Sequence, residues 1–198
     1  SSARCLEDFH ASALNTSLWE VVTAGAETAW GIANGFLNAN IYSDVTSGET
    51  TFRFRPPFRG NWDVLMSFGP NRIVGGGTGT VGIALGADFG VDGTSKASVG
   101  FMANANGSDP CYVMDWGQGP ANGVSNASGS GLYRLARAGQ EVTGRVWNSA
   151  SNQWQTIGTA GGFTAEFARV GVKVWNTGVM GGKGVRMCFD NLQLVHGR

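Results

Sequence analysis

The chain has 198 residues, a formal net charge of zero and 14% charged residues. It carries no basic stripe or polybasic segment, so a nucleic-acid partner or an anionic lipid surface is not expected. No apolar stretch approaches the roughly 18 residues of a membrane-spanning helix. The 32 glycines favour turns and bulges over long helices. We interpret residues 1–198 as one all-β domain, since such sandwiches commonly reach this length undivided.

The N-terminal half contains short β-type runs. Glu49–Arg55 alternates, with Phe52 and Phe54 on one face and arginines on the other, which is typical of a half-buried strand. Trp62–Phe68 is apolar on both faces, which favours a central strand. Trp30 is assigned to an early Gly/Ala loop. The strands predicted in this half are Cys5–Phe9, Gly35–Ile41, Glu49–Arg55, Trp62–Phe68, Val81–Ala87, Ala97–Ala103 and Cys111–Trp116.

The C-terminal half begins with a long loop, Gly117–Gly131, rich in Gly, Asn, Ser and Ala. Loops of this length are typically functional or mobile. Five further β-type runs follow it without a helical period between them. These runs are Tyr133–Gly139, Glu141–Trp147, Trp154–Gly158, Arg169–Trp175 and Val185–Val195. Their spacing predicts an antiparallel all-β sandwich or barrel.

The order of the late runs resembles that of the concanavalin A-like lectin/glucanase jelly rolls, especially the laminin-G-like members. The likeness depends on Val142-Thr-Gly144, Ile157-Gly158, Val170-Gly-Val172 and the closing Phe189-Asp-Asn-Leu192. The opening of the chain, with its acidic-Phe run and Leu14-x-x-x-x-Trp19, resembles the start of these sandwiches as well. The resemblance implies a two-sheet antiparallel jelly roll and a function connected with carbohydrates, because such sandwiches mostly handle them.

Three cysteines leave an odd thiol. On the residues alone, one disulfide plus a free or intermolecular thiol and three buried thiols both stay open. The resemblance implies that the first and last strands are neighbours, which would bring Cys5 near Cys188 for a disulfide. Cys111 would then be available for self-association.

The resemblance also implies a structural calcium ion. In many of these sandwiches an Asp of the last strand and oxygens near the first strand bind calcium. Asp190 matches that Asp, and Glu7 or Asp8 could lie beside it. Carboxylate oxygens suit a hard cation. The alternative is that Asp190 only hydrogen-bonds the neighbouring terminal strand.

The sequence contains no recognisable catalytic motif. The glucanase members of the resembled family use a Glu-x-Asp-x-x-Glu strand, and its alginate-lyase branch uses a Gln-x-His strand; neither occurs here. The two histidines, His10 and His196, lie near the ends of the chain. Asp63, Asp115 and Glu141 could still form a carboxylate pair in space, so enzymatic activity stays open although a binding role is favoured.

Aromatic side chains are the remaining chemical signal, because sugar rings stack on Trp through their C–H faces. Trp175 and Lys173 fall opposite the Val-rich face of one late run, and Trp147 and Arg145 fall opposite that of another. If both runs lie in one sheet, they form a single aromatic and cationic platform. Trp116, at the start of the long loop, is the next candidate.

These observations predict an extracellular, lectin-like carbohydrate-binding protein whose partner is a glycan or polysaccharide. The chain fits a mature secreted form, although a cytosolic protein stays open because no signal peptide is visible. A structural or adhesive subunit of a surface or particle assembly is the first alternative. A glycan-cleaving enzyme of the same fold is the second. An exposed aromatic row in a groove would favour the carbohydrate-binding protein, and a large apolar patch would favour the assembly subunit. Two carboxylates about 5–9 Å apart would favour the enzyme.

Overall fold

The computed structural model describes residues 4–25, 29–41, 47–69, 72–73, 77–91, 95–117, 122–125, 127–128, 130–178 and 185–196. These residues form seventeen strands, and none of their segments is a helix long and apolar enough to cross a membrane. The strands are β1 Arg4–Glu7, β2 Trp19–Gly25, β3 Ala29–Ala33, β4 Phe36–Ile41, β5 Ser47–Phe54, β6 Phe58–Arg59, β7 Trp62–Phe68, β8 Arg72–Ile73, β9 Thr80–Phe89, β10 Ser95–Asn104, β11 Cys111–Asp115, β12 Asn122–Ser125, β13 Gly131–Ala138, β14 Glu141–Asn148, β15 Gln153–Ala160, β16 Phe167–Thr177 and β17 Val185–His196.

The strands form two antiparallel sheets. The nine-stranded sheet runs in the order β15-β14-β13-β7-β17-β4-β3, with β1 and β8 also paired to β17. The eight-stranded sheet runs in the order β12-β11-β10-β9-β16-β5-β2, with β6 also paired to β16. The predicted two-sheet antiparallel sandwich is confirmed.

Alternation along each strand decides which side chains enter the core. In β5, Phe52 and Phe54 are buried while Arg53 between them stays half-exposed. In β16, Val172 and Val174 are buried in the same way. Each such burial stabilises the fold by about 1.5–3 kcal/mol relative to an exposed side chain. One face of every central strand therefore fills the space between the sheets.

Aromatic rings fill one end of the core. The Trp19 ring lies 5.6 Å from that of Phe9 and 5.4 Å from that of Phe54. The Trp19 indole also donates to Glu7 Oε2 at 3.1 Å. Trp19 therefore plugs this end of the core, and its side chain is only 1% exposed.

The first and last strands pair as expected. β1 runs antiparallel to β17, with Arg4 opposite Leu194 and Glu7 opposite Leu192. This pairing joins residues from the two ends of the chain.

Two segments predicted to be loops contain strands. Trp30 lies on β3, and its ring packs edge-on against Phe52 with centroids 5.3 Å apart. The predicted loop Gly117–Gly131 contains β12, which pairs with β11 and places Val124 opposite Tyr112. Both strands lie at sheet edges, where one side of the backbone is unpaired and a strong alternating pattern is not needed.

Candidate functional site

The outer face of the eight-stranded sheet carries two adjoining cavities. Because Val172 and Val174 point inward, Lys173 and Trp175 point outward on β16. The register of β16 places Lys173 between Ala84 of β9 and Thr51 of β5. The outward side chains of five neighbouring strands thus share one surface.

Small residues form the floor of this surface. Two adjoining cavities of about 220 Å³ each open above them and share Glu49, Ser98, Asp115 and Lys173 in their walls. We call the combined depression the groove. Its floor residues are Gly82, Ala84, Gly86, Ser98, Gly100 and Gly171. A Cβ at Gly100 or Gly171 would meet the backbone of a neighbouring strand, so these floor positions cannot carry a side chain.

Trp175 lies directly on this floor. A Cβ added to Gly82 would lie 2.1 Å from Cζ2 of the Trp175 indole, so the ring occupies the space of the missing side chain. Above the ring, Lys173 Nζ lies 5.8 Å from the ring centroid. Lys173 also pairs with Glu49 Oε2 at 2.8 Å. The indole is therefore held between backbone below and a restrained ammonium group above.

Most charges in the groove are paired. Arg53 contacts Asp88 Oδ2 at 2.7 Å and Glu20 Oε2 at 3.4 Å, and all three side chains are partly shielded from water. Among the described residues, Lys96 and Asp115 of the lining make no ion pair. Asp115 Oδ1 accepts a hydrogen bond from the Gly117 backbone N–H at 2.8 Å. Two unpaired groups of opposite sign thus remain for a ligand.

The carboxylates of the groove bear on the predicted alternative of a glycan-cleaving enzyme. Glycosidases hold two carboxyl groups roughly 5–9.5 Å apart. Glu49 and Asp115 lie on β5 and β11, four strand spacings apart, or about 19 Å of backbone. Asp88 is closer to Asp115, but its carboxylate turns toward Arg53, on the side away from β11. Asp88 and Glu20 do meet at the Arg53 guanidinium, so two carboxylates lie close together there and the enzymatic alternative stays open.

The predicted single platform is wrong, because its two halves lie in different sheets. Trp175 and Lys173 belong to β16 of the eight-stranded sheet, whereas Trp147 and Arg145 belong to β14 of the nine-stranded sheet. Alternation places both Trp side chains outside the core, but on opposite faces of the sandwich. The groove therefore contains Trp175 and Lys173 but not Trp147 and Arg145.

Trp116 does not line the groove. It follows β11, is half-buried and packs against the hydrophobic core. Its neighbour Gly117 is the residue of this segment that reaches the groove wall. Trp116 is better explained as a cover for the sheet edge.

The predicted metal residues do lie near one another. Glu7 Oε1 accepts from the backbone N–H groups of Asp8 and Phe9, and Asp190 accepts from the backbone and side-chain nitrogens of Asn191. Burial raises the pKa of the Asp190 carboxyl, Asp8 and Glu7 raise it further, and the Asn191 N–H and His10 lower it.

These carboxylates are not assembled as a ready metal site. No group of three or more His, Cys, Asp or Glu side chains in the described part of the chain is placed to hold a metal ion. Each oxygen of Asp190 and Glu7 already accepts a hydrogen bond within the chain. Calcium at Asp190 and Glu7 stays a prediction.

The predicted Cys5–Cys188 disulfide is not formed: all three cysteines are free thiols. Cys5 lies opposite Gln193 of β17, and Cys188 lies five residues further along that strand, roughly 16 Å away. A disulfide needs Cα atoms closer than about 7 Å. Cys188 instead donates to Asn38 Oδ1 at 3.2 Å. The strand pairing is right, but its register keeps the thiols apart.

Several groove residues had no signal in the sequence. Arg53 and Glu49 were visible as outward positions of an alternating strand, but the sheet they share with β16 was not. Asp88 and Ser98 lie on β9 and β10, which pair with each other. Only the complete strand order brings these side chains to Trp175.

Comparisons with known proteins find the fold but no sequence relative. Neither a protein-family model nor a curated protein sequence matches the chain. Among solved structures, an endo-1,3-beta-glucanase from Streptomyces sioyaensis is similar at a TM-score of 0.65 and 16% identity, over 98% of this chain and 95% of that one.

Two lectin structures are similar as well. The carbohydrate recognition domain of Emp47p gives a TM-score of 0.61 at 12% identity, over 98% of this chain and 95% of that one. Lectin II from Ulex europaeus gives 0.58 at 12% identity, over 88% and 91%. At these identities the likeness concerns the fold. The chain therefore has the concanavalin A-like jelly-roll fold.

Proposed function

We propose that this protein binds a glycan in the groove of the eight-stranded sheet, without cleaving it. The observation that carries the proposal is the half-buried Trp175 indole, which lies on a glycine floor beside the Lys173–Glu49 ion pair. Aromatic faces that border a cavity stack on the C–H faces of sugars, and a few polar groups then fix the orientation.

The polar lining supports a ligand rich in hydroxyl groups. Ser98 and Asp115 border both cavities, opposite Lys173 and Glu49. Four cationic and three acidic side chains line the first cavity, so the two signs nearly balance. Such a surface can both donate to and accept from sugar hydroxyls, and we propose a neutral glycan as the ligand.

The similar structures support the proposal at the level of the fold. They include two lectin structures and a glucanase. Because fold alone does not determine function, the proposal depends on the groove itself. A secreted, extracellular setting is part of the proposal, since polysaccharides occur mainly outside cells.

The test is a glycan array followed by titration calorimetry with the strongest neutral oligosaccharide. Trp175→Ala should weaken binding by about 1–3 kcal/mol, which is roughly 5- to 150-fold. Trp175→Phe keeps an aromatic face and should retain part of the affinity. Lys173→Met keeps the length of the side chain but removes its charge, its hydrogen bonds and its ion pair with Glu49, and it should weaken binding as well.

Thermal melting of each variant is the control. If Trp175→Ala lowers the melting temperature as a core substitution would, the indole supports the fold and the proposed role is wrong. If the variant folds and binds like the wild type, the glycan does not contact Trp175. Release of reducing ends from the bound oligosaccharide would show cleavage and contradict a purely binding role.

A further inference from the structure

A second cluster of aromatic and charged side chains lies on the nine-stranded sheet, outside the groove. We call it the Trp147 surface and define it by Arg134, Arg145, Trp147 and Trp154. Trp147 of β14 is directly opposite Trp154 of β15, and Arg145 is directly opposite Arg134 of β13. The four side chains therefore occupy three adjacent strands on one face.

The two tryptophans form a partly open aromatic wall. Their ring centroids lie 5.4 Å apart with planes at 72°, and both side chains are half-buried. The Arg134 guanidinium lies 5.5 Å from the Trp154 ring centroid. An edge-to-face pair of this kind keeps part of each ring accessible to a ligand.

The arginines differ in how their charges are balanced. Arg134 donates to both carboxylate oxygens of Asp63, and these hydrogen bonds raise its pKa further. Arg145 makes no ion pair among the described residues, although it lies directly opposite Arg134. Like charges directly opposite one another destabilise a sheet. Arg145 thus supplies a positive charge that no carboxylate of this face neutralises.

Trp147 also borders a cavity of about 620 Å³ at the end of the same strands. Its polar lining comes from three serines around β12 and the start of β13, and from the hairpin of β14 and β15. The polar residues in it are Ser125, Ser128, Ser130, Asn148, Ser149 and Gln155. Small hydroxyl and amide groups around a Trp are the composition of a sugar subsite.

We propose that the Trp147 surface is a second carbohydrate site, which binds an acidic glycan. A sugar ring stacks on Trp147, its hydroxyls contact the polar cavity, and its carboxylate pairs with Arg145. Guanidinium groups suit carboxylates because two parallel N–H donors match two oxygens. The unpaired positive charge of Arg145 favours an anionic sugar at this surface. The groove on the opposite face, whose charges nearly balance, has no such preference.

The test is calorimetric titration of the wild-type protein with a uronic acid oligosaccharide, oligogalacturonate. Binding is expected at low salt and should weaken as salt is raised. Arg145→Gln should weaken it at least fivefold and reduce its salt dependence, and Trp147→Ala should weaken it at least fivefold. The methyl-esterified oligomer, which is neutral, should bind at least fivefold more weakly than the acid form.

Arg59→Gln is the matched control, because it removes one exposed positive charge, paired with Glu166, from β6 of the eight-stranded sheet and so outside the Trp147 surface. It should leave binding unchanged. The proposal is overturned if the wild type does not bind the acid oligomer, if the ester binds equally well, or if Arg145→Gln has no effect. Loss of binding in Trp175→Ala, with retention in Arg145→Gln, would place the acidic glycan in the groove and leave the proposed function intact.

Discussion

Trp175 has its position because residue 82 is a glycine. The indole atoms Cζ2, Cη2 and Cε2 would lie 2.1–2.6 Å from a Cβ at that position, so no larger residue fits beneath the ring. The floor of the groove and its aromatic wall are therefore one feature. The position of the Trp175 indole on β16 requires that residue 82 on β9 has no side chain.

Gly82→Ala tests this dependence. The new methyl group should push the Trp175 indole out of its seat, shift the indole N–H signal of Trp175 in NMR spectra, and weaken binding of a neutral glycan several-fold. Gly86→Ala is the control for the indole position, since its Cβ would meet Ser98 Cβ at an ordinary 3.4 Å. An unshifted Trp175 signal in Gly82→Ala would show that the ring does not lie on the floor.

Asp190 should make the protein less stable as pH rises. Its pKa is raised in the folded protein from the usual 3.8, mainly by burial, so the folded state binds the proton more tightly than the unfolded chain. Stability is therefore lost as pH increases from about 4 through the raised pKa. In Asp190→Asn this loss should disappear, which urea unfolding at pH 4 and pH 7 in a chelator would measure. An identical pH dependence in both proteins would contradict the assignment.

Calcium bound at Asp190 would change the effect of this carboxylate on stability from destabilising to stabilising. An ion bound only to the folded state adds RT ln(1 + [Ca]/Kd), about 2.7 kcal/mol at a hundredfold excess over Kd. Calcium should then raise the melting temperature of the wild type, and Asp190→Asn should not respond. If neither protein responds and elemental analysis finds no metal, the calcium prediction is wrong.

At the scale of the elements, alternation predicted the strands and the faces of their residues. Phe52, Arg53, Trp147 and Trp175 all lie on the side of their strand that the pattern indicated. Alternation does not say which sheet receives a strand, because two outward faces look alike in sequence. For this reason the predicted platform combined β14 and β16, which the sandwich places on opposite faces.

Register was the second quantity that the sequence could not supply. The resemblance correctly paired β1 with β17, but a slip of a few residues decides whether two cysteines meet. Cys5 is opposite Gln193 rather than Cys188. The sequence also failed to indicate the edge strands β3 and β12. These strands contribute little to the core and lack its apolar alternation.

Close strand packing at Gly100 predicts a sharp contrast between two glycines. A Cβ at Gly100 would lie 2.1 Å from the Ile83 carbonyl oxygen, a backbone atom that cannot move freely, whereas a Cβ at Gly31 meets nothing within 4 Å. Gly100→Ala should cost about 1–3 kcal/mol in the free energy of unfolding. Gly31→Ala should be nearly neutral. Equal urea midpoints for the two variants would contradict this packing.

At the scale of the whole molecule, the three thiols predict an accessibility pattern. Cys5 is exposed, Cys111 is half-buried and Cys188 is buried. Burial is the first cause of a raised pKa for both Cys5 and Cys111, so little reactive thiolate forms at neutral pH.

A thiol reagent should therefore label Cys5 first, and more rapidly above pH 9. Cys188 should react after unfolding. Three titratable thiols are expected in denaturant without reductant, and a count of one would show a disulfide. A dimer on a non-reducing gel that is lost in Cys111→Ser would support self-association through Cys111.

The pairing of β1 with β17 also decides how the protein can be immobilised. Residue 4 lies opposite residue 194, so both ends of the described chain emerge from the nine-stranded sheet. A tether attached at residue 4 or at residue 194 would therefore load the same sheet that carries the Trp147 surface. Binding of the acidic sugar should accordingly be compared between tethered protein and protein free in solution.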